Sequence, residues 1–517
     1  VKNTTILALA VLSGVLYFTG FIGFDQWYLE WIAFVPLLIA LSEIKTARRA
    51  FFVSWLMGWV THMGGYYWIV HLLMVFAYLP LPLAMGGYML LCLVQSGVFA
   101  IFGWSTWRLH QRTGIGIGWI APVTLMASEL VYPQIFQSFT ANSQVLVPVV
   151  IQIADLGGVL LIGGLIALVS GAVAEVVLAH RAGRPVPRAI CATAVLAVAS
   201  TIAYGLVRMP QVDARDAAAP QLKVAMVQGN VGGAAKHDEV AAGTARYRQM
   251  TDAAMQLPGV GLVVWPESAL NNLVMHGANL TGVVATEVRV PMLVGALRAE
   301  PSEGERKYKV WNSILAVAPG GQVVTSYDKI KLLVFGEYLP GYESYPGFWL
   351  WLRDNGFLPY IGGFERGTTL ASLSVGPHRI SADVCYEDIL PRHINRLMAA
   401  EDTPPQAMLN GTNDSWYGPV EPFIHLALAQ FRAVEHRRWL IRSTSTGISA
   451  FIDANGRIVE QSEFEKAQTL VHDVPMITAG PTVYARIGDL FGWLALVAVI
   501  AGLFWRRRSV GNANVVR

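Results

Sequence analysis

The chain has 517 residues, of which only 14% are charged and 54% are hydrophobic. An ordinary soluble protein has about 25% charged residues, so much of this chain is not built to dissolve in water. A net charge of +3, with no long basic run interleaved with aromatics, gives no grounds for a nucleic-acid partner.

A membrane-crossing helix needs about 20 mostly apolar residues, and apolar runs at 4–22, 27–43, 51–74, 83–105, 115–132, 150–178, 189–207 and 489–505 predict eight spans. The first run is read as a span rather than a cleaved leader, because no A-x-A-like site follows it. Basic residues gather after even-numbered spans: Lys45, Arg48 and Arg49, then Arg108 and Arg112, then Arg181, Arg184 and Arg188. By the positive-inside rule those loops and the Arg506, Arg507, Arg508 cluster are cytoplasmic, so residues 208–488 lie outside. Within the apolar runs His62, His71, Glu129 and Asp155 are ionisable, and either mark function or sit at the interface.

The resulting layout is a seven-span bundle over 1–207, an Ala-, Pro- and charge-rich linker over 208–220, a catalytic domain over 221–480, and a last span with a basic tail over 481–517. In the third part short apolar runs ending in turn residues predict strands at 222–230, 261–268, 291–297, 313–318, 379–387, 406–410 and 448–453. Helices are expected at 236–256, 278–289, 388–398 and 421–438, which together predict an α/β domain of layered sheets with outer helices.

Of the three cysteines, Cys92 and Cys191 lie in apolar runs and only Cys385 lies in the polar part. No disulfide framework and no Cys/His metal site follow from that distribution, and nothing in the sequence signals a metal or organic cofactor. Glu267, Lys329 and Cys385 each follow an apolar strand. At the C-terminal edge of a sheet such a carboxylate, ammonium and thiol would form a nucleophilic site: base, oxyanion partner and attacking sulfur. Spacing alone leaves open an inert buried Cys385, a capping Glu267 and a solvated Lys329, and equally a Cys–His pair using His425 or His436.

The motifs GLVVWPES (261–268), YDKIKLLVFGEYLP (327–340), DVCYED (383–388) and NDSWYG (413–418), in that order, resemble the nitrilase superfamily. With spans before and one after, nearly the whole chain resembles the bacterial apolipoprotein N-acyltransferases. That resemblance implies an α-β-β-α sandwich and a catalytic triad of Glu267, Lys329 and Cys385, supported by Glu337, Tyr386 and Glu387. It implies an acyl chain taken from a phospholipid, phosphatidylethanolamine or a relative, onto Cys385 as a thioester. The chain then passes to the α-amino group of the S-diacylglyceryl cysteine of a lipoprotein, at the outer face of the bacterial inner membrane. Substrate contacts are expected at His237, Trp349, Trp351, Asn413 and Trp416. The stretch holding Tyr342, Tyr345, Phe348, Trp349 and Trp351 is either a packed insertion or a lid that dips into headgroups. Lys331 and Val334 stand where the family usually has His and Pro, and His237 where it often has Trp. The alternatives are a membrane-tethered amidase, in which water resolves the thioester, and a non-catalytic membrane scaffold.

Overall fold

The computed structural model describes residues 2–75, 77–232, 237–303, 307–334, 336–342, 344–355, 363–415 and 417–505, and side chains of all of these except 237–240. The expected Arg506, Arg507, Arg508 cluster lies outside the described residues.

The N-terminal region is helical, but its helices are broken more often than the apolar runs suggest. Leu81–Thr113, Ala154–Arg181 and Arg188–Ala218 are each long and apolar enough to cross a membrane, and Asn3–Phe18, Ile117–Val131 and Leu490–Phe504 are shorter apolar helices. The run at 27–43 divides into Trp27–Leu29, Glu30–Ala33 and Val35–Glu43, and the run at 51–74 into Ala47–Gly65 and Ile69–Val75. Pro36 at the start of Val35–Glu43 lacks the N–H that would extend the preceding turn. Exposed Val195, Leu196, Leu206 and Val207 on one helix, and Leu494 and Val497 on another, form apolar faces suited to lipid.

Inside the bundle, Tyr17 and Phe34 make edge contacts with Phe99 and Phe102. Ile117–Val131 and Ala154–Arg181 approach backbone to backbone: a Cβ on Gly118 would lie 2.4 Å from the Gly171 carbonyl oxygen, and one on Gly171 2.5 Å from that of Gly118. Only glycine permits this contact. The buried acids have partners. Glu129 accepts from the Thr140 amide (2.8 Å) and hydroxyl (2.7 Å), and Glu30 accepts from Ser143 (2.5 Å).

The stretch 208–220, read from composition as a linker, is helical as far as Ala218, continuing the helix that begins at Arg188. Its alanines favour helix, and Pro210 is tolerated within it.

Twelve strands follow among the described residues, in two six-stranded sheets. β1 (Gln221–Gln228), β2 (Val260–Met275), β3 (Met292–Pro301), β4 (Tyr308–Val317) and β5 (Val323–Asp328) form the first sheet. β6 (Leu373–Val375), β7 (His378–Val384), β8 (Ala407–Thr412), β9 (Leu440–Thr444), β10 (Ala450–Ile452) and β11 (Ile458–Gln461) form the second. β12 (Gln468–Pro475) returns to pair antiparallel with β1. The sheets stack because successive residues point to opposite faces. Val224 and Met226 join the inter-sheet core with Ile380, Ala382 and Leu440. Ala225 and Val227 face outward, with Tyr247 of the helix His237–Ala254. Pro391–Met398 and Glu421–His436 flank the second sheet, giving a helix, sheet, sheet, helix order.

The helix expected at 278–289 is absent. The Asn279 side chain accepts from the Thr281 amide at 2.9 Å, an Asx turn that competes with helix, and Asn279 bridges to Gln322 instead.

Candidate active site

Cys385 stands directly after β7, where the strand gives way to a short 3₁₀ turn, Cys385–Ile389. The expected strand 379–387 therefore ends early. Cys385 takes φ +54°, a left-handed conformation costing about 1–2 kcal/mol in a non-glycine residue. The turn is over-determined by its partners. Glu387 Oε2 accepts from the Val384 amide (2.9 Å), and Asn410 Nδ2 donates to the Cys385 carbonyl (3.1 Å) and to Asp383 Oδ1 (2.6 Å).

Lys329 follows β5 and is buried, its side chain 1% exposed. Its ammonium lies 2.8 Å from Glu337 Oε1 and 3.7 Å from Glu267 Oε1. Glu267 sits within β2 at a register shift after Trp265, rather than beyond the strand's end. Gly411 of β8 lets the second sheet close over it: a Cβ there would stand 2.7 Å from Ile314 and 3.4 Å from the Glu267 nitrogen. Asn312 of β4, which no motif singled out, joins the carboxylates through Nδ2, 2.6 Å from Glu267 Oε1 and 3.2 Å from Glu337 Oε1. Its identity is readable only once β4 is laid between β3 and β5.

Glu337 and Glu387 hold the loop after Lys329 from two sides. Glu337 Oε2 accepts from the Leu333 amide (2.8 Å). Glu387 Oε1 accepts from the amides of Ile330 (2.8 Å) and Lys331 (2.7 Å), and its Oε2 from the Tyr327 hydroxyl (2.9 Å). Glu387 thus ties the lysine loop to the cysteine turn. Tyr386 faces the bundle, its hydroxyl donating to the Ile135 carbonyl at 2.8 Å.

The charges explain one another. Burial works against the Lys329 ammonium, but the carboxylates of Glu337 and Glu267 outweigh it and hold it protonated above the ordinary lysine range. Burial raises the Glu267 carboxyl above the usual range, Lys329 pulls it back and Glu337 pushes it up again. Burial, then the negative charge of Glu267, raise the Cys385 thiol well above its ordinary value, against a lowering by Lys329 and by a hydrogen bond with Thr412. A neighbouring ammonium favours a standing thiolate. Lys329 does act in that direction, but burial and the carboxylates prevail, so the resting sulfur is a thiol. A carboxylate of raised basicity within charge range is then suited to remove its proton during attack.

His425 does not reach the sulfur. Its Nε2 lies 2.7 Å from Asp388 and its Nδ1 3.3 Å from Asp414, while Arg442 spans Asp388 (2.7 Å) and Asp414 (3.2 Å). Burial and Arg442 push its pKa down, but the two aspartates prevail and raise it to about 10. His436 is buried with neither ring nitrogen hydrogen-bonded among the described residues, and burial beside Arg432 and Arg438 lowers it to about 3. Asp414, Glu421 and His425 lie within metal-ligand distance of one another, and His425 and Arg442 already pair with both Asp388 and Asp414.

Among the expected substrate residues, Asn413 lies beside the triad, its backbone hydrogen-bonded to Glu267. Trp349 and Trp351 fall on the helix Pro346–Asp354, which buries none of its residues; Tyr345, Phe348 and Trp351 are all more than half exposed. Trp416 and the side chain of His237 lie outside the described residues.

A double-sheet domain with a glutamate, a lysine and a cysteine gathered between its layers defines a class, and residues 223–484 match the family described as carbon-nitrogen hydrolase. Residues 13–172 match the apolipoprotein N-acyltransferase N-terminal domain. Curated proteins named apolipoprotein N-acyltransferase align along nearly the whole chain. The one from Geobacter metallireducens is 31% identical, covering 97% of this chain and 96% of its own. That from Azotobacter vinelandii is 31% identical, covering 97% and 95%. Among solved structures, yeast Nit3 of the nitrilase superfamily is 16% identical over 50% of this chain and 90% of its own, with a TM-score of 0.37. The chain belongs to the apolipoprotein N-acyltransferase family. It is an acyltransferase of lipoprotein biosynthesis and a bacterial membrane protein.

Proposed function

We propose that Cys385 carries the acyl group as a thioester between a phospholipid donor, phosphatidylethanolamine or a related lipid, and the α-amino group of an S-diacylglyceryl cysteine. The observation that carries this reading is the single buried cluster in which Lys329 stands 3.7 Å from Glu267 and both act electrostatically on Cys385. Glu267 takes the thiol proton as the sulfur attacks the donor's ester carbonyl. Lys329 faces the oxyanion that develops there. The lysophospholipid leaves with the proton from Glu267. In the second half, the neutral amine attacks the thioester, the carbon–nitrogen bond forms, and one N–H proton passes through Glu267 to the departing sulfur.

Glu337, Asn312 and Glu387 position these groups without touching the reacting atoms. We assign residues 1–207 and 481–517 to an eight-span membrane part in the inner membrane and 221–480 to a catalytic domain on its periplasmic face. The alternation of basic loops and the outward apolar helix faces support this.

The test is incubation of the full chain with acyl-labelled phospholipid, followed by addition of a diacylglyceryl-cysteinyl peptide. A hydroxylamine-labile label on Cys385 that moves onto the peptide nitrogen is the expected result. Release of free fatty acid alone would mark an amidase-like hydrolase instead.

A further inference from the structure

The carboxylate that joins the Lys329 loop to the Cys385 turn is itself out of water: the Glu387 side chain is 0% exposed. A carboxylate in that position stays ionised only with donors or a cation against it. Lys329 is taken up elsewhere, its ammonium 2.8 Å from Glu337 and 3.7 Å from Glu267. Among the described residues, the basic side chain at ion-pair distance from Glu387 is His393, whose Nε2 stands 3.1 Å from Glu387 Oε1. His393 is buried too, its side chain 3% exposed, and comes from the helix Pro391–Met398. Its neighbours fix that helix: Arg392 pairs with Asp489 (2.6 Å) and donates to the Leu130 carbonyl (2.9 Å), while Ile394 and Leu397 join the domain's apolar core.

The hydrogen-bonding pattern decides what Nε2 carries. The Tyr327 hydroxyl gives its one proton to Glu387 Oε2 at 2.9 Å, and its oxygen lies 3.1 Å from His393 Nε2. Nε2 therefore faces two acceptors, the phenolic oxygen and Glu387 Oε1. A bare lone pair there would meet only other lone pairs, so Nε2 bears a hydrogen placed between the two oxygens. Burial pushes the Glu387 carboxyl up, but His393, then the Lys331 amide and Lys329, pull it below the ordinary carboxylate range. The site needs that ionised form. Glu387 accepts from the Ile330 and Lys331 amides on one oxygen and from the Val384 amide on the other, and a proton on either oxygen would take up accepting capacity.

We propose that His393 is a positioning residue for acyl transfer: its Nε2–H holds Glu387 and the Tyr327 hydroxyl together, and through them the Lys329 loop against the Cys385 turn. The inference rests on the acyl-transfer reading above and adds a residue to that reaction's framework. With the Nε2–H removed, a buried carboxylate loses the basic side chain against it. Lys329 is then left to offset Glu337, Glu267 and Glu387 together. Its ammonium and the sulfur lose their mutual alignment, while the surface that receives the donor lipid is unchanged. The effect therefore falls on the bond-forming step and not on donor binding.

The experiment uses the full chain in nanodiscs with acyl-labelled phosphatidylethanolamine and reads thioester formation on Cys385 by rapid quench. His393→Leu, which keeps bulk and removes the donor, is expected to lower the rate at saturating donor about tenfold. The donor concentration for half-maximal rate is expected to stay within about twofold of the parent's. His393→Gln, whose side-chain amide reaches the position of Nε2, is expected to recover most of the rate; His393→Asn, an amide one methylene shorter, is not. Tyr327→Phe is expected to cost less on the His393→Leu background than on its own, because both act through Glu387. Equal rates for His393→Leu and the parent would overturn the proposal. So would a loss confined to the half-maximal concentration, or equal losses for His393→Gln and His393→Asn. If His393→Leu unfolds, as a thermal scan would show, the comparison of His393→Gln with His393→Asn carries the same test. Failure of the unsubstituted protein to form a thioester would instead sink the acyl-transfer reading.

Discussion

Replacing one atom separates chemistry from folding. Cys385→Ser exchanges sulfur for a smaller, far less acidic oxygen in a turn held by Glu387 and Asn410, whose bonds run to backbone atoms. Acyl transfer is expected to fall at least about 10³-fold, while the thermal midpoint stays within a few degrees. A variant with normal turnover would remove Cys385 from the mechanism. The carboxylates set the pH dependence. Glu267 must be ionised to receive the thiol proton, so thioester formation is full above its raised pKa and is lost as the pH falls through it. The acid limb therefore lies above the ordinary carboxyl value of about 4.3. Glu337 contributes to that rise by like-charge repulsion and Lys329 opposes it. Glu337→Gln should therefore move the limb to lower pH and Lys329→Gln to higher pH. Pre-steady-state thioester formation across pH 4 to 8 reads both; shifts in the same direction for the two would contradict the electrostatic account. Apolar runs before Glu267, Lys329 and Cys385 marked the three as candidates, but only the resemblance of the four motifs joined them into a triad, since spacing alone left each with an ordinary structural reading. Asn312, Thr412 and Arg442 were not legible, because a polar residue inside a strand shows its partner only when the sheets are assembled.

Among the elements, strands with strong apolar runs, such as β1 and β3, were readable from pattern alone. β9 was missed because LIRST places a charge, Arg442, and two further polar residues, Ser443 and Thr444, in a fully buried strand, and β11 because it is half-exposed with little apolar signal. Membrane helices were harder for the opposite reason: composition marks apolar runs but not the breaks within them, so spans such as 27–43 appear whole in the sequence and divided in the fold. The helix Pro346–Asp354 answers the question its aromatics posed. A packed insertion would bury them, whereas none of its residues is buried. Exposed Phe348 and Trp351 at a membrane-facing enzyme are suited to the headgroup region, where amphipathic rings gain by partial insertion. The double substitution Phe348→Ala, Trp351→Ala is expected to lower transfer from a bilayer-resident donor about tenfold and to spare transfer from a short-chain donor that is monomeric in water. Equal losses with both donors would place the two side chains in the reacting pocket rather than at the lipid surface.

At the scale of the whole molecule, the geometry of the site depends on two parts keeping their relative position, and one buried ion pair spans them. Arg437 ends the helix Glu421–His436 in a left-handed conformation, φ +51°. Its guanidinium lies 2.8 Å from Asp155 and also donates to the Gln152 side chain (2.5 Å) and to the Ala454 carbonyl (3.1 Å). Arg208 and Tyr204, on the helix that runs from the bundle into the domain, complete the shell of Asp155 at 3.2 and 2.8 Å. Both ionic side chains are almost fully buried, so the pair itself is a weak source of net stability, but breaking it strands a charge at a cost of about 3–5 kcal/mol. Asp155→Leu strands Arg437 and is therefore expected to lower the unfolding free energy by about that amount; Arg437→Leu is expected to cost less, because Arg208 and Tyr204 remain on Asp155, and both are expected to loosen Tyr386 from Ile135 across the same boundary. The double substitution leaves no stranded partner and should recover most of the loss. Chemical denaturation in detergent reads the stability, and limited proteolysis near 215–220 reads the docking. Additive losses in the double variant would mean that the two residues act separately, and that the domain is held on the bundle by the aromatic contacts of Trp68 with Tyr417 and Phe136 with Tyr386.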